Sequence, residues 1–349
     1  MFRLPLKQQS ITSISPGARN LKMVQSNGKG QIKKAHLCDM PTGVINQMKV
    51  ESPEMLADTL KQASRAAGIS TGECTLCLSG PAVIIRHLVF PYMNDAQLYH
   101  NVLSEISGYL PVDSEKFSID YQVQEIIQSE DSARIKVMVV AIQKEILSSY
   151  LTALKLAGYR ATTIDIAENA REKLLRYAAQ RGAGPDAHYC VIDFGASATS
   201  ISAYYEGRFF VNKIVTTGGN RLTEIITENR QMDTLAAESY KAEGDFLYGQ
   251  DDPECHVAIT ALIDQWIGEA TRVIDYFLSR NQTQIQRVYL CGGGAQLKGL
   301  ARYLEEHMEL PVEGFDSFVN PLLSRKAGQI EPSYYADAIG ATFREVSKS

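Results

Sequence analysis

The sequence predicts an α/β protein of two similar halves, with a small α+β unit inserted in the first half. Strand-like and helix-like segments alternate along the 349 residues, a pattern typical of α/β folds. Each half opens with three short strands joined by tight turns. The glycines of these turns are similarly spaced, Gly17 to Gly28 and Gly195 to Gly207, which indicates a weak internal duplication.

Composition excludes several classes of function. Hydrophobic residues make up 45% and charged residues 21%, as in soluble globular proteins, and the length favours at least two domains. A net charge of −5 argues against a dedicated nucleic-acid binder. No apolar run approaches the roughly 18 residues that span a bilayer, and residues 1–9 hold no stretch of signal-peptide character. We therefore expect a soluble, cytoplasmic protein of several domains.

The six cysteines are spread too widely to form a disulfide framework. Cys74 and Cys77 have CxxC spacing and lie on a segment that is predicted to be a strand. Residues three apart on a strand point to opposite faces, so the two sulfur atoms should diverge. Since no second pair completes a zinc site, we expect both cysteines to pack in the core.

The first half is predicted to combine an antiparallel sheet with one helix. The helix begins at Pro53 with Ser52 as its N-cap and ends at Gly68, a favoured residue for a left-handed C-terminal position. The dipeptide at residues 27–28, Asn-Gly, is a hairpin signal. The predicted strands lie at residues 10–15, 21–26, 31–39 and 74–78.

The inserted unit runs from about residue 82 to residue 158 and has the order β-α-β-β-α, typical of a compact α+β subdomain. Asn94 caps its first helix and Gly158 ends its second. The predicted strands lie at residues 83–90, 117–126 and 133–142, with a polar turn at residues 129–132. The apolar positions of the two helices are Leu98, Val102, Leu103, Ile106 and Tyr109, then Ile146, Tyr150, Leu151 and Leu154.

The second half follows a linker signal at residues 182–185. Its predicted strands lie at residues 188–193, 199–205, 209–215 and 287–291, and a helix is predicted at residues 297–307. A longer helix at residues 254–280 carries an apolar stripe, which is typical of a core-facing helix and also suits a partner. The stripe consists of Ile263, Trp266, Ile267, Ala270, Val273, Ile274 and Phe277.

A carboxylate followed by a turn of small residues is the strongest chemical motif. Asp193 lies near the end of an apolar strand, and the small residues 195–199 follow it. Such turns expose successive backbone N–H groups that hold a phosphate, and a carboxylate at the strand end suits a hydrated Mg²⁺. An ordinary hairpin shows the same short pattern, so the motif alone leaves both interpretations open.

Two further glycine turns, at residues 218–220 and 292–294, each follow a predicted strand and precede a predicted helix. Glycines let a phosphate or a base approach the backbone, and helix N-termini favour anions. Between these turns, Glu238 and Lys241 are three residues apart and share a helix face. That pair has two interpretations, a part of the same site or a solvated ion pair.

Together these segments resemble the superfamily of actin, heat-shock chaperone and sugar-kinase ATPases. Residues 193–199 are similar to its second phosphate loop, residues 292–297 to its adenosine motif and residues 335–341 to its second connecting helix. Within the superfamily the chain resembles the PilM family of type IV pilus assembly proteins, relatives of FtsA. The short sequence motifs of the inserted unit that carry this resemblance lie at residues 110–111, 119–121, 139–141 and 157–159.

The resemblance implies the actin-like ATPase fold, with two RNase H-like halves and an inserted α+β subdomain. It covers residues from about 10 to 343. The first half is expected at residues 8–81, 159–185 and 330–349, the inserted subdomain at 82–158 and the second half at 186–329.

The resemblance also implies that ATP and Mg²⁺ bind in the cleft between the halves, with Asp193 as the metal residue. The family expects an Asp in its first phosphate loop, but Ser15 stands there, and a hydroxyl does not supply the same charge to Mg²⁺. At most a weak ATPase is therefore expected. Arg19 beside this loop suits phosphate or solvent equally. The implied nucleotide-binding residues are Gly17, Ala18, Gly195, Ala196, Ser197, Ala198, Thr199, Gly218, Gly219, Asn220, Glu238, Lys241, Gly292, Gly293, Gly294 and Leu297.

The implied function is that of a cytoplasmic scaffold which docks the N-terminal cytoplasmic segment of a PilN-like inner-membrane protein. The inserted subdomain is expected to contribute to the docking groove, and the membrane contact is expected to be indirect, with self-association left open. Alternatives are an FtsA-like cell-division protein, a small-molecule kinase of the superfamily and a scaffold without nucleotide. Residues 345–349 are short and polar, which favours the pilus protein over FtsA with its amphipathic tail.

Overall fold

The computed structural model describes residues 10–110, 113–128, 133–182, 184–249 and 252–343, which form three larger sheets and a short hairpin with helices packed on them. The strands are β1 (Ile11–Pro16), β2 (Asn20–Ser26), β3 (Ile32–Asp39), β4 (Ile45–Asn46), β5 (Lys49–Val50), β6 (Glu73–Leu78), β7 (Ile84–Pro91), β8 (Phe117–Gln128), β9 (Ala133–Gln143), β10 (Arg160–Ile166), β11 (Tyr189–Phe194), β12 (Thr199–Tyr205), β13 (Arg208–Val215), β14 (Arg287–Cys291) and β15 (Val312–Gly314). The helices are α1 (Pro53–Ala67), α2 (Asp95–Ser107), α3 (Lys144–Leu156), α4 (Ala167–Ala179), α5 (Gly219–Arg230), α6 (Thr234–Glu243), α7 (Pro253–Asn281), α8 (Leu300–Met308), α9 (Asp316–Val319) and α10 (Pro332–Gly340).

The two halves contain five-stranded sheets of the same topology. In the first, β1, β2 and β3 form an antiparallel meander, and β6 and then β10 add in parallel beside β1. In the second, β11, β12 and β13 form the meander, and β14 and then β15 add in parallel beside β11. The repeated topology confirms the predicted arrangement of two similar halves.

The inserted unit contains a three-stranded antiparallel sheet in the order β7-β9-β8. One face of this sheet packs on α2 through a small core that includes Leu98, Val102 and Ile106. The other face contributes Met138 and Ile142 to the main core of the first half. Helix α3 packs against α1, so the inserted unit is attached to the first half along both a sheet face and a helix.

Local sequence signals located most elements to within a few residues. Ser52 caps α1 by accepting a hydrogen bond from the Met55 amide, and Gly68 ends the helix with a φ of 60°. Asn94 caps α2, as the sequence predicted, and the structure adds a reciprocal capping box with Gln97. The predicted helix at 297–307 starts three residues late, at Leu300, because Gly299 adopts a left-handed φ of 81°.

Two predicted apolar positions of the inserted unit face solvent instead of the core. Tyr109 and Leu151 are exposed, whereas Cys74 and Cys77 are buried in separate clusters, as the strand geometry predicted. Four predicted features lie wholly or partly outside the described residues. They are the turn at 129–132, Pro111 of the motif at 110–111, residue 183 of the linker signal and the tail at 345–349.

Two connecting helices, α4 and α10, lie between the halves and contact each other closely. They cross at Gly340, where an added methyl group would lie 1.9 Å from the carbonyl oxygen of Ala170. The segment at residues 315–327 also packs in the core of the first half, through Phe315, Phe318 and Val319. Helices α4 and α10 and the segment at 315–327 therefore fix the position of the two five-stranded sheets relative to each other.

Candidate functional site

A cleft of about 1110 Å³ lies between the two five-stranded sheets. All three predicted glycine turns and the β1–β2 turn of the first half contribute to its walls. The sequence-predicted residues that line it are Gly17, Ala18, Asp193, Gly195, Ala196, Ser197, Ala198, Gly219, Asn220, Glu238, Lys241, Gly292, Gly293, Gly294 and Leu297. The fold therefore brings together motifs that are more than 270 residues apart in the chain, from Gly17 to Leu297.

Two predicted binding residues, Thr199 and Gly218, lie behind the cleft wall instead of in it. Thr199 is fully buried, and its hydroxyl donates to the Thr217 carbonyl at 2.9 Å. A methyl group on Gly218 would lie 2.4 Å from the Gly195 carbonyl oxygen, so this glycine is needed for backbone to pack on backbone. Both residues join the loop at 195–198 to the turn at 217–219 rather than face a ligand.

The turn at Gly292 packs directly on Asp193. Gly292 has a φ of 83°, and an added methyl group would lie 2.4 Å from Asp193 Oδ1 and 2.6 Å from the Phe194 carbonyl oxygen. No side chain fits there, and the left-handed backbone itself favours glycine. This contact fixes the turn at 292–294 against Asp193 and Phe194, which precede the loop at 195–198.

A fully buried arginine, Arg171 of α4, lies beneath the cleft and binds Asp193. Its Nη1 donates to Asp193 Oδ2 at 2.9 Å and to Asp337 Oδ1 at 3.2 Å. Its Nη2 lies 3.6 Å from Glu168 Oε1. Burial raises the pKa of the Asp337 carboxyl to about 6, although the Arg171 charge opposes that shift. Asp193, which the sequence assigned to a metal, is therefore already paired with a protein cation.

Sequence reasoning missed Arg171, since no structure was predicted for the segment that forms β10 and α4. The available signal was a helix of alanine and leucine interrupted by Glu168, Arg171 and Glu172, which are charged residues at helical spacing. All three side chains are buried. Buried charges in such a helix indicate partners elsewhere in the fold, because an unpaired buried charge is costly.

Glu238 and Lys241 form an ion pair in the cleft wall, where the sequence left a solvated pair open. Their charged atoms are 3.0 Å apart, and Lys241 Nζ also donates to Thr223 Oγ1 at 2.7 Å and to the Gly219 carbonyl at 3.2 Å. Burial lowers the pKa of Lys241, an effect that the Glu238 charge opposes. Arg19 reaches the same carboxylate from the first half.

Ser15 is buried on β1 and is not among the residues that line the cleft. It pairs in register with Lys22 of β2, and Lys22 does line the cleft. This side of the cleft thus presents Lys22 of β2 and no carboxylate from β1. Lys22, Arg19 and Lys241 place three cations in this part of the wall, where Arg19 and Lys241 pair with Glu238 and Lys22 forms no ion pair among the described residues.

A second cavity, a groove of about 950 Å³, lies on the other side of α4 between the first half and the inserted unit. Two strand edges face it: within the described residues, β10 pairs only with β6, and β8 pairs only with β9. Open edges of this kind present unpaired backbone N–H and C=O groups. The groove therefore has the geometry that accepts an extended peptide.

Apolar and acidic side chains line the groove. Tyr121, Met138 and Ile164 are apolar contacts, and Ile164 is 44% exposed on the edge strand β10. Lys173 of α4 closes the floor by pairing with Asp165 at 2.5 Å. Asp120 lies exposed on β8, so the groove favours a basic residue in its occupant.

Comparisons with solved structures show the actin-like ATPase fold. A structure described as the PilM–PilN type IV pilus biogenesis complex is similar over 96% of this chain and 98% of that chain, at 24% identity and a TM-score of 0.80. The ethanolamine utilization protein EutJ of Carboxydothermus hydrogenoformans is similar over 97% and 91%, at 12% identity and a TM-score of 0.57. MreB 5 of Spiroplasma citri bound to AMPPNP is similar over 91% and 94%, at 13% identity and a TM-score of 0.50.

The family comparison agrees with the features on which the resemblance rested. In the described part of the chain, no helix combines the length and the apolar character needed to cross a membrane. The family described as type IV pilus assembly protein PilM matches residues 14–345, which include both halves, the cleft and the groove. The chain therefore belongs to the PilM family of type IV pilus assembly proteins.

Proposed function

We propose that this protein is an actin-like scaffold of type IV pilus assembly that docks the N-terminal segment of a PilN-like membrane protein. The observation that carries the proposal is the groove between the open edges of β8 and β10. The similar solved structure is described as a PilM–PilN complex, which supports a partner of this kind. The protein would then be peripheral to the inner face of the membrane through its partner.

The groove fits an extended segment better than a helix. Strand addition to an open sheet edge uses backbone hydrogen bonds for affinity and pockets for alternate side chains for specificity. One side of the groove offers Ile164 of β10, and the other offers Tyr121 of β8 and Met138 of β9. Asp120 adds a negative charge on β8, where a basic side chain of the docked segment would gain an ion pair.

We further propose that the cleft binds ATP through the residues that the sequence assigned, without Thr199 and Gly218, which act behind the wall. Lys22 and Arg19 join the group because their charges line the cleft. The AMPPNP complex of MreB 5 supports a nucleotide in this fold. The domain limits 8–81 with 159–185 and 330–349, 82–158 and 186–329 remain part of the proposal.

The family match favours this function over the FtsA-like and small-molecule-kinase alternatives. The function also needs no carboxylate at Ser15, because peptide docking involves no chemistry on a substrate. Any ATPase activity would be weak, since Ser15 supplies no charge to the first phosphate loop.

The experiment is a titration of the protein with a labelled synthetic peptide from the N-terminal cytoplasmic segment of the PilN-like protein of the same organism. Ile164→Glu places a charge in the groove, and we expect it to weaken binding by about tenfold or more. Val257→Glu is the matched control, since Val257 is 66% exposed on α7 and lies outside the groove. Equal binding by both variants, or no binding by the unchanged protein, would contradict the proposal.

A further inference from the structure

Within the described residues, one group of three side chains has donor atoms close enough together to hold a metal ion. The group is Asp193, Cys291 and Asp337, whose donor atoms all lie within 4.8 Å of one another. Asp193 is the residue to which the resemblance assigns Mg²⁺. The group is therefore the place to ask whether this chain fits a metal.

The side chain of Arg171 already provides the positive charge at this place. The same Nη1 atom donates to Asp193 at 2.9 Å and to Asp337 at 3.2 Å, and it lies 3.8 Å from Cys291 Sγ. The side chain of Arg171 is 0% exposed, and Glu168 also faces it. Removing a guanidinium from such a cluster leaves buried carboxylates uncompensated, which is strongly destabilising. The residues present therefore do not fit Mg²⁺ at Asp193.

Two other carboxylates of the cleft, Glu238 and Glu145, are also paired, whereas Asp39 and Glu51 line it without an ion pair among the described residues. Glu238 binds both Lys241 and Arg19, and Glu145 binds Lys49 at 2.6 Å. Ser15 supplies no carboxylate where the superfamily has one. A protein site for hydrated Mg²⁺ typically uses one or two free carboxylates. Asp193, Glu238 and Glu145 do not offer one, and Asp39 accepts a hydrogen bond from Asn20 Nδ2 at 3.2 Å at the first-half side of the cleft.

We propose that the cleft binds the polyphosphate of a nucleotide without a divalent cation held at Asp193. Arg171 is the fixed cation: it pairs with Asp193 from below and reduces the repulsion between this carboxylate and the phosphates. Lys22, Arg19 and Lys241 face the ligand directly. Arg171 is thus a positioning residue, which acts through Asp193 and does not touch the nucleotide. The inference rests on the proposed binding of ATP.

The chain carries its own reporter for the test. Trp266 is the one tryptophan of the sequence, and its Nε1 donates to Thr217 Oγ1 at 3.0 Å, next to the glycine turn of the cleft. The centre of its ring also lies 5.2 Å from that of Phe194, the residue that follows Asp193 in the chain and precedes the loop at 195–198. Ligand binding at this turn should therefore change tryptophan fluorescence.

The experiment titrates ATP into the full chain in excess EDTA and again in excess Mg²⁺, and it compares the two dissociation constants. We expect them to agree within about threefold. Binding that is tighter by about tenfold or more in Mg²⁺ would overturn the inference while leaving the proposed ATP binding intact. No binding in either solution would instead reject the proposed ATP binding, and the inference with it.

Two variants test the role of Arg171. The quantity compared is the ratio of the dissociation constant for ATP in EDTA to that in Mg²⁺, which a merely structural defect does not change. Asp193→Asn keeps Arg171 paired with Asp337 and Glu168, and we expect the ratio to stay near one. A loss of affinity in Mg²⁺ alone would show that Asp193 holds the metal. Arg171→Gln frees Asp193, and we expect the ratio to rise by about tenfold. A folded Arg171→Gln variant without any Mg²⁺ preference would contradict the inference; if this variant does not fold, the unchanged protein and Asp193→Asn decide.

Discussion

Arg19 and Glu238 meet across the cleft, with Nη1 of the arginine 3.4 Å from Oε1 of the glutamate. Arg19 belongs to the β1–β2 turn of the first half and Glu238 to α6 of the second, so the pair joins the two halves at the ligand site. The Arg19 side chain is 42% exposed. The Glu238 side chain is 16% exposed and also pairs with Lys241, so it keeps an ion pair when Arg19 is removed.

We expect Arg19→Ala to change the free energy of unfolding by less than about 1 kcal/mol, because Arg19 is partly exposed and Glu238 keeps Lys241 as its partner. The same variant should weaken ATP binding by several-fold, since a positive charge leaves the cleft wall. Thermal melting and the fluorescence titration measure the two effects. Arg302→Ala is the control, because Arg302 forms an exposed pair with Glu306 outside the cleft. Equal effects of the two variants on ATP binding would contradict the prediction.

Two adjacent glycines, Gly218 and Gly219, should differ in how much stability an added methyl group costs. Gly218→Ala places Cβ 2.4 Å from the Gly195 carbonyl oxygen, so we expect a loss of about 1–3 kcal/mol in the free energy of unfolding. Gly219→Ala meets nothing closer than 3.7 Å and lies at the start of α5, where we expect little loss of stability. Chemical denaturation of both variants measures the difference. A Gly218→Ala variant as stable as Gly219→Ala would show that the loop relaxes at no cost.

The pH dependence of stability should include a contribution from His87. Burial lowers the pKa of this imidazole to about 4, and its ring lies 5.4 Å from Phe209 of the second half. The unfolded chain therefore takes up the proton first, so the stability present above about pH 6.5 is lost as the pH falls towards 4, by roughly 3 kcal/mol.

His87→Phe removes this titration, so the variant should gain stability relative to the unchanged protein as the pH falls. Melting temperatures between pH 7.5 and pH 4.5 measure the difference. His100→Phe is the control, because His100 is exposed on α2. A difference between the His87 variant and the unchanged protein that does not vary with pH would mean that His87 is not the titrating group.

The stability of the protein should depend on the ion pair between Lys173 and Asp165 at the floor of the groove. Both side chains are largely buried, and Lys173 Nζ also donates to the Phe343 carbonyl at 2.9 Å. Lys173→Met leaves a buried carboxylate without its cation, so we expect a loss of about 3–5 kcal/mol. Lys61→Met breaks an exposed pair with Asp58 and should cost little. Comparable losses in urea denaturation would show that Asp165 finds another partner.

The sequence predicted those parts of the molecule that local backbone chemistry controls. Ser52 and Gly68 mark the two ends of α1. The Ser52 side chain accepts a hydrogen bond from an amide of the first turn, and Gly68 adopts the left-handed backbone that ends the helix. The glycine turns near Asp193 and Gly292 were visible for the same reason. The motifs that line the cleft follow from such turns, and their order along the chain indicated the fold.

Tertiary structure alone decided what those turns contact. Gly218 serves backbone packing rather than a ligand, and Asp193 binds Arg171 from a helix that was not predicted. The partners of Arg171 lie 22 and 166 residues away in the chain, at Asp193 and Asp337. No local pattern specifies such distant pairs, because their distances depend on how α4 and α10 cross between the two sheets. The turns are set by backbone conformation, whereas the charge beneath the cleft is set by long-range packing.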